Sequence, residues 1–299
     1  MNKLHEKILS IYMKISEVCG KEKIPHYVIG GACLGAVRNQ GFIPWDDDMD
    51  IAIPIEFWGR LRSKLEDNLP EYYGVRSWND VITHSPLLLK VYDKRTTYIE
   101  HHELLHEESY KGIFVDIKPI SGVPTNKIMK WIFINKIQMY RKLNQYLRYP
   151  YNRNDRILGK VLWIMLLPIR NKIRYDYFSN KGFRELQRYP VKYSNVVGFV
   201  WCSNAKKVIM PVDWFIKEVF VEFEDIKVPC PENYKGYLNK YFKDYTRLPP
   251  MEERIPSHPG LVDIYRSYDE YKNNKELLKD YPYFQHLYHE SINQTAPKI

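Results

Sequence analysis

The sequence predicts an α+β fold with a basic helical insertion, and three observations predict it. An apolar series at helical spacing opens the chain. Short runs of β-branched and aromatic residues, punctuated by Gly and Pro, follow it, and residues 126–192 differ from the rest in composition and charge. The 299 residues, 44% of them hydrophobic, suffice for one large domain or for one domain carrying a substantial insertion.

Leu4, Ile8, Ile11, Ile15 and Val18 recur at spacings of four, three, four and three, which predicts an amphipathic helix stopped near Gly20. His26-Tyr27-Val28-Ile29 reads as a short strand, broken by Gly30-Gly31 before a helix over 32–39. A turn at Gly41 and the Pro44-Trp45 approach lead to a strand over 48–53, ended by Pro54. A helix over 56–69 and strands over 87–92 and 112–118 follow. After the insertion, a strand-like stretch over 219–228 leads through Pro229 and Pro231 to a helix over 234–242 and then to Leu248-Pro249-Pro250. The last forty or so residues are polar and predict no element. Neither an internal repeat nor a Gly/Ser linker divides the chain.

The net charge of +9 is local. Residues 127–192 hold 16 Lys and Arg against 3 acidic residues, a net of +13, while the remainder holds 29 against 33, a net of −4. One surface is thereby expected to meet something anionic. The run over 161–169 is far too short to span a bilayer, and Lys160 and Arg170 flank it, so no transmembrane helix is expected. Apolar and Trp content bordered by cations fits a helix lying in a membrane interface; alternatively Trp131, Phe133, Trp163 and Leu166 pack the insertion onto the domain. The kinds of module that bind nucleic acid are missing, so no nucleic-acid partner is expected. Cys19, Cys33, Cys202 and Cys230 show neither a CxxC pair nor zinc spacing and read as reduced, buried thiols. With an N-terminus that has no signal-peptide core, they point to the cytoplasm.

Chemistry concentrates in Asp46-Asp47-Asp48-Met49-Asp50. Asp48 and Asp50, two apart on an expected strand, direct both carboxylates to one face, a site for hard cations such as Mg²⁺ or Mn²⁺. Asp116, an acid inside the apolar strand Ile113-Phe114-Val115-Asp116-Ile117, is the candidate third carboxylate, as metal ligand or as proton acceptor. Such a cluster can stabilise both oxygens of an in-line displacement at phosphorus. Asp46 and Asp47 lie nearer the loop and are expected to add only negative potential. Gly30 and Gly31 let backbone approach a phosphate at the start of a helix, whose N-terminus favours negative charge. The plainer readings are an acidic triplet on a solvated loop and a glycine pair that is only a turn.

The run from Gly30-Gly31-Ala32-Cys33-Leu34-Gly35-Ala36-Val37-Arg38 through Gly41-Phe42-Ile43-Pro44-Trp45 to Asp46-Asp47-Asp48-Met49-Asp50-Ile51 closely resembles the signature of the LicD family of phosphocholine transferases, distantly related to fukutin-type enzymes. The resemblance continues in Lys90-Val91-Tyr92-Asp93 with Thr96-Thr97, in Phe114-Val115-Asp116-Ile117, and in Tyr237-Leu238, Tyr241-Phe242-Lys243-Asp244-Tyr245, Leu248-Pro249-Pro250, Arg254 and His258. It departs where Ala32 stands for a frequent threonine and Lys243 for the usual glycine. The fukutin-related cysteine-rich zinc site has no counterpart.

The resemblance implies a single nucleotidyltransferase-like domain over residues 1–299, a mixed β-sheet flanked by helices, with the basic helical insertion at about 126–192. It implies a CDP-linked donor, commonly CDP-choline, whose phospho-alcohol passes to a hydroxyl of a cell-surface glycan or its lipid-linked precursor, of teichoic acid, lipopolysaccharide or capsule, with release of CMP. By position it makes Asp48, Asp50 and Asp116 the metal-binding and catalytic carboxylates, and Arg38 and Lys90, with Gly30 and Gly31, contacts to the donor phosphates. Peripheral attachment to the inner face of the membrane would suit such an acceptor. The competing readings are a nucleotidyltransferase that adds a nucleoside monophosphate to a small molecule, and a non-catalytic glycan- or membrane-binding protein.

Overall fold

The structure is a computed structural model that describes residues 1–80, 87–100, 111–148, 157–170, 172–258 and 260–278. Helix α1 (Lys3–Lys21) begins where the Asn2 side chain accepts a hydrogen bond from His5 N–H, and it buries Ile8, Ile11, Ile15 and Val18 as their spacing predicts. Strand β1 (Tyr27–Ile29) runs into helix α2 (Gly30–Asn39), which turns back toward β2 (Asp50–Pro54). A single 3₁₀ turn at Ile55–Phe57 then precedes α3 (Trp58–Asn68).

Strands β3 (Tyr73–Ser77), β4 (Leu89–Asp93), β5 (Thr97–Glu100) and β6 (Phe114–Gly122) follow. The mixed sheet has the order β1-β2-β6-β4-β3. β2 and β6 run parallel, and the other neighbours on that path are antiparallel. Two short strands, β7 (Val196–Gly198) and β8 (Met210–Pro211), extend from the far end of β6. Alternate residues of β2 and β6 such as Ile51, Ile53, Val115 and Ile117 are fully buried and join one core with α1, α2 and α3.

Helices α4 (Lys127–Arg148), α5 (Ile157–Arg170) and α6 (Tyr177–Gln187) form the basic segment. Strands β9 (Glu218–Phe223) and β10 (Ile226–Pro231) make a hairpin lying against β1 and α2. Helix α7 (Tyr234–Phe242) is capped by Asn233, and β11 (Gly260–Asp263), which pairs with β5, leads to α8 (Tyr268–Asn273), which starts with a Ser267–Glu270 capping box.

Three expectations change. The glycine pair does not precede the helix but forms its first turn, Gly30 taking φ +57° between strand and helix. The stretch expected as one strand over 219–228 is a hairpin, turned by Glu224 at φ +53° and by Asp225. The polar C-terminal region, for which no element was expected, supplies β11 and α8 through residue 278.

Candidate active site

Sheet register brings the acidic residues together. Asp50 on β2 pairs directly with Asp116 on the parallel strand β6, and Lys90 on the antiparallel strand β4 pairs with Asp116 from the other side. Three charged residues thus stand in one row across the middle of the sheet, with side chains on the same face. Lys118, two residues after Asp116, shares that face and places Nζ 2.5 Å from Asp50 Oδ2. Burial alone would lower the Lys118 pKa, but Asp50 and Asp116 overcome it and raise it above the ordinary lysine value.

Two carboxylate oxygens in this row, Oδ1 of Asp50 and Oδ1 of Asp116, are buried without a hydrogen-bond partner among the described residues. Lys90 Nζ is 3.5 Å from Asp116 Oδ1, an ion-pair distance without hydrogen-bond geometry, and it also sits 3.1 Å from the centroid of the Phe114 ring. Burial pushes the Asp116 carboxyl above the usual range, against the pull of Lys90. Buried carboxylate oxygens left unsatisfied are costly, and an oxygen-preferring divalent cation would satisfy them.

Asp48 lies two residues before β2 rather than within it, yet still opens into the same space. With Asp47 and His258 it forms a cluster whose potential ligand atoms all lie within 4.8 Å of one another. His258 Nδ1 is 3.2 Å from Asp47 Oδ1 and 3.6 Å from Asp48 Oδ2, and His258 N–H donates to Asp47 Oδ2 at 2.9 Å. The Asp47 hydrogen bond holds His258 up at about 9. Burial would raise Asp47, but the hydrogen bonds from His258 win and lower it. Burial, reinforced by Asp50, lifts Asp48 well above the ordinary range. Carboxylate oxygens with an imidazole beside them suit a divalent ion, so the residues present fit a divalent metal.

Asp46 serves a different end. Its carboxylate packs on Gly31, where a Cβ would stand 2.1 Å from Oδ2, so only glycine leaves it room at the first turn of α2. Burial, with Asp47 and Asp50 nearby, raises Asp46 to about 7. Gly30 N–H donates to the Tyr237 hydroxyl at 2.9 Å, fastening α7 to the start of α2. His5 of α1 approaches the Asp46 carbonyl with Nε2 at 2.7 Å and stacks on Phe42, which steadies the acidic loop from behind.

These groups line an open cleft of about 1030 Å³. Gly30, Gly31, Asp46, Asp48, Asp50, Asp116 and Lys118 form its floor, and Arg38, Arg247, Arg254, Trp45, Tyr241 and Tyr245 stand around it. Arg38 is held below the ordinary arginine value by burial and by repulsion from Arg254. Among the described residues neither guanidinium forms an ion pair: Arg38 donates to the Asn39 side chain, and Arg254 donates to the Pro249 carbonyl and lies over Trp45. Two like charges left facing each other without a carboxylate make a place for an anion. A smaller cavity of about 290 Å³, walled by Phe199, Phe215, Tyr237 and Asn204, shares Gly30, Asp50, Lys118 and Tyr241 with the cleft.

Of the residues singled out in the sequence, Gly30, Gly31, Arg38, Asp48, Asp50 and Asp116 therefore border one cleft. Lys90 is not among its lining residues; it stands behind Asp116, in ion-pair range of Asp116 and Glu100. Lys118 and the pairing of His258 with Asp47 escaped the sequence reading. The alternation Asp116-Ile117-Lys118 signals the first, whereas the second depends on a contact between residues 211 positions apart, which no local pattern carries.

Residues 23–153 match the LicD/FKTN/FKRP nucleotidyltransferase domain. The chain is 27% identical over 257 residues to the lipopolysaccharide cholinephosphotransferase LicD of Haemophilus influenzae, an alignment covering 84% of this chain and 92% of that protein. Shorter matches, 45% identical over 51 residues, join it to uncharacterised proteins of Rickettsia prowazekii and Rickettsia typhi; each covers 16% of this chain, and they cover 19% and 16% of those proteins.

Proposed function

From the premise that this chain carries a LicD-family domain, we propose that it transfers phosphocholine, or a closely related phospho-alcohol, from a CDP-linked donor to a glycan hydroxyl, with release of CMP. The observation that carries this reading is the in-register row of Asp50 and Asp116, with Asp48 beside it, at the floor of a cleft rimmed by Arg38 and Arg254. Arginines bind phosphate oxygens in bidentate fashion, so the rim suits the diphosphate of the donor. Asp48, Asp50 and Asp116, with Asp47 and His258 as further donors, would hold Mg²⁺ or Mn²⁺, which supplies charge neutralisation at the phosphoryl oxygens when bound.

The acceptor hydroxyl oxygen bonds to phosphorus, the bond from phosphorus to the CMP oxygen breaks, and the hydroxyl proton passes to a carboxylate of the row. The smaller cavity reaches Asp50 and Lys118 from beside the cleft and would offer the acceptor a second approach to them. Lys90 keeps Asp116 oriented from behind rather than touching the donor. A nucleotide donor and a lipid-carried glycan meet at the inner face of a membrane, where the protein would be peripheral; among the described residues no helix is long and apolar enough to cross one.

The reading is tested by thermal shift with CDP-choline, CDP-glycerol, CDP-ribitol and CTP, with and without Mg²⁺, followed by an assay for CMP. Asp48→Asn and Asp50→Asn are expected to reduce CMP release by about a thousandfold while the fold persists. Full turnover in both variants would sink the carboxylate assignment. Release of pyrophosphate from CTP in place of CMP would select the nucleotidyltransferase alternative.

A further inference from the structure

Helices α4 and α5 each leave an apolar face uncovered. On α4, Ile128, Ile132 and Met139 fall four and seven residues apart on one stripe, with exposures of 70%, 45% and 49%, and Trp131 beside them is 67% exposed. Phe133, Ile137 and Leu147 of the same helix are buried, so its inward face is already occupied. On α5, Ile157, Val161, Ile164 and Met165 are 81%, 46%, 57% and 69% exposed, while Leu166 is buried. The two helices pack on each other. Exposed apolar surface this concentrated is unusual for a face meant only for water.

Charge identifies the occupant. Neither helix contains an acidic residue, whereas α4 carries Lys127, Lys130, Lys136, Arg141, Lys142 and Arg148, and α5 carries Lys160 and Arg170. Lys136 is tied to Glu185 of α6, and Arg141 bonds Gln138. Apolar side chains interleaved with lysine and arginine, without acids, match the boundary between headgroups and acyl chains of an anionic bilayer. α5 is 14 residues long, too short to cross and suited to lying in that boundary.

We infer that α4 and α5 form a membrane-docking surface that inserts Ile128, Trp131, Ile132, Ile164 and Met165 into the interface of an anionic phospholipid bilayer. The inference rests on this surface alone and holds whether or not the donor is a CDP-alcohol. Its test is sedimentation of the full chain with vesicles of phosphatidylcholine alone and with vesicles containing phosphatidylglycerol. Binding is expected to the anionic vesicles, to weaken with salt, and to fall about tenfold in Trp131→Ser/Ile164→Ser, whose altered positions are exposed and so leave the fold intact by circular dichroism. Ile216→Ser/Phe220→Ser, which removes exposed apolar groups elsewhere, is expected to sediment like the parent. Three results would overturn the inference: no sedimentation at low salt, equal sedimentation of the Trp131→Ser/Ile164→Ser variant, or a stable dimer that this variant dissociates, which would make the face a contact between two copies of the chain.

Discussion

Lys243 shows how a single backbone angle can explain a departure in sequence. It follows α7 with φ +63° and ψ −112°, a region that side chains with a Cβ rarely enter, at the position where the resembling family has glycine. Lys243→Gly is expected to stabilise the protein by about 1 kcal/mol, read as a higher urea midpoint, since the relief of strain exceeds the added freedom of the unfolded chain. His258 makes a pH-dependent contribution. Its folded value of about 9 lies above the ~6.5 of an unfolded histidine, so its stabilisation is complete below about pH 6.5 and disappears as the pH rises through about 9. Asp47 acts with the opposite sign: its lowered carboxyl contributes above about pH 4 and loses that contribution as the pH falls. Metal-free His258→Gln is therefore expected to be less stable than the parent chiefly between about pH 4 and 6.5, with the difference gone above pH 9, as followed by thermal melts across pH. At this scale the convergence of Asp48, Asp50 and Asp116 on one cleft was legible, because alternating acids at the entry to a strand and an acid inside an apolar one stand out in any sequence. The part played by Lys118 was less visible, since a lysine in a strand is ordinary until its neighbour across the sheet is known.

The element that decides the site is the parallel pair β2 and β6, because their register sets Asp50 against Asp116. Ile51 and Ile117 pair in the next step of the same register and point to the opposite face, where both are fully buried. Ile117→Ala is expected to cost about 2–5 kcal/mol, measured by denaturant unfolding, and to lower turnover without changing a single polar group. Hydrophobic spacing made α1 legible almost to the residue, since a buried helical face repeats regularly, and α7 spans the residues expected of it. The β9–β10 hairpin was read as one strand because Glu224-Asp225 lacks the usual Asn-Gly turn signal; Glu224 adopts positive φ with its N–H donating to the Gln40 carbonyl and its side chain accepting from Phe42 N–H. Strand β11 was invisible because its partner, β5, lies some 160 residues earlier in the chain.

At the scale of the whole molecule, the cleft cannot be assigned to the matched domain alone. Residues 23–153 supply the acidic floor, but Tyr241, Arg254 and His258 arrive from beyond it. A fragment ending at residue 153 is expected to show no nucleotide-dependent shift in melting temperature, whereas the full chain does. The overall charge pattern was legible from composition, because the +13 segment stands out against a slightly acidic remainder. Of the residues expected to pack this segment onto the domain, Phe133 and Leu166 do turn inward, but Trp131 is exposed, and sequence alone could not show that both faces of the segment are apolar. The ammonium of Lys118 on Asp50 has a further consequence. A tethered cation already balances the acid that an arriving ion would claim, so ion capture becomes an exchange of one positive charge for another. Under the proposed function, the chain would fold without waiting for metal, and loading would follow the arrival of the donor's own negative charge.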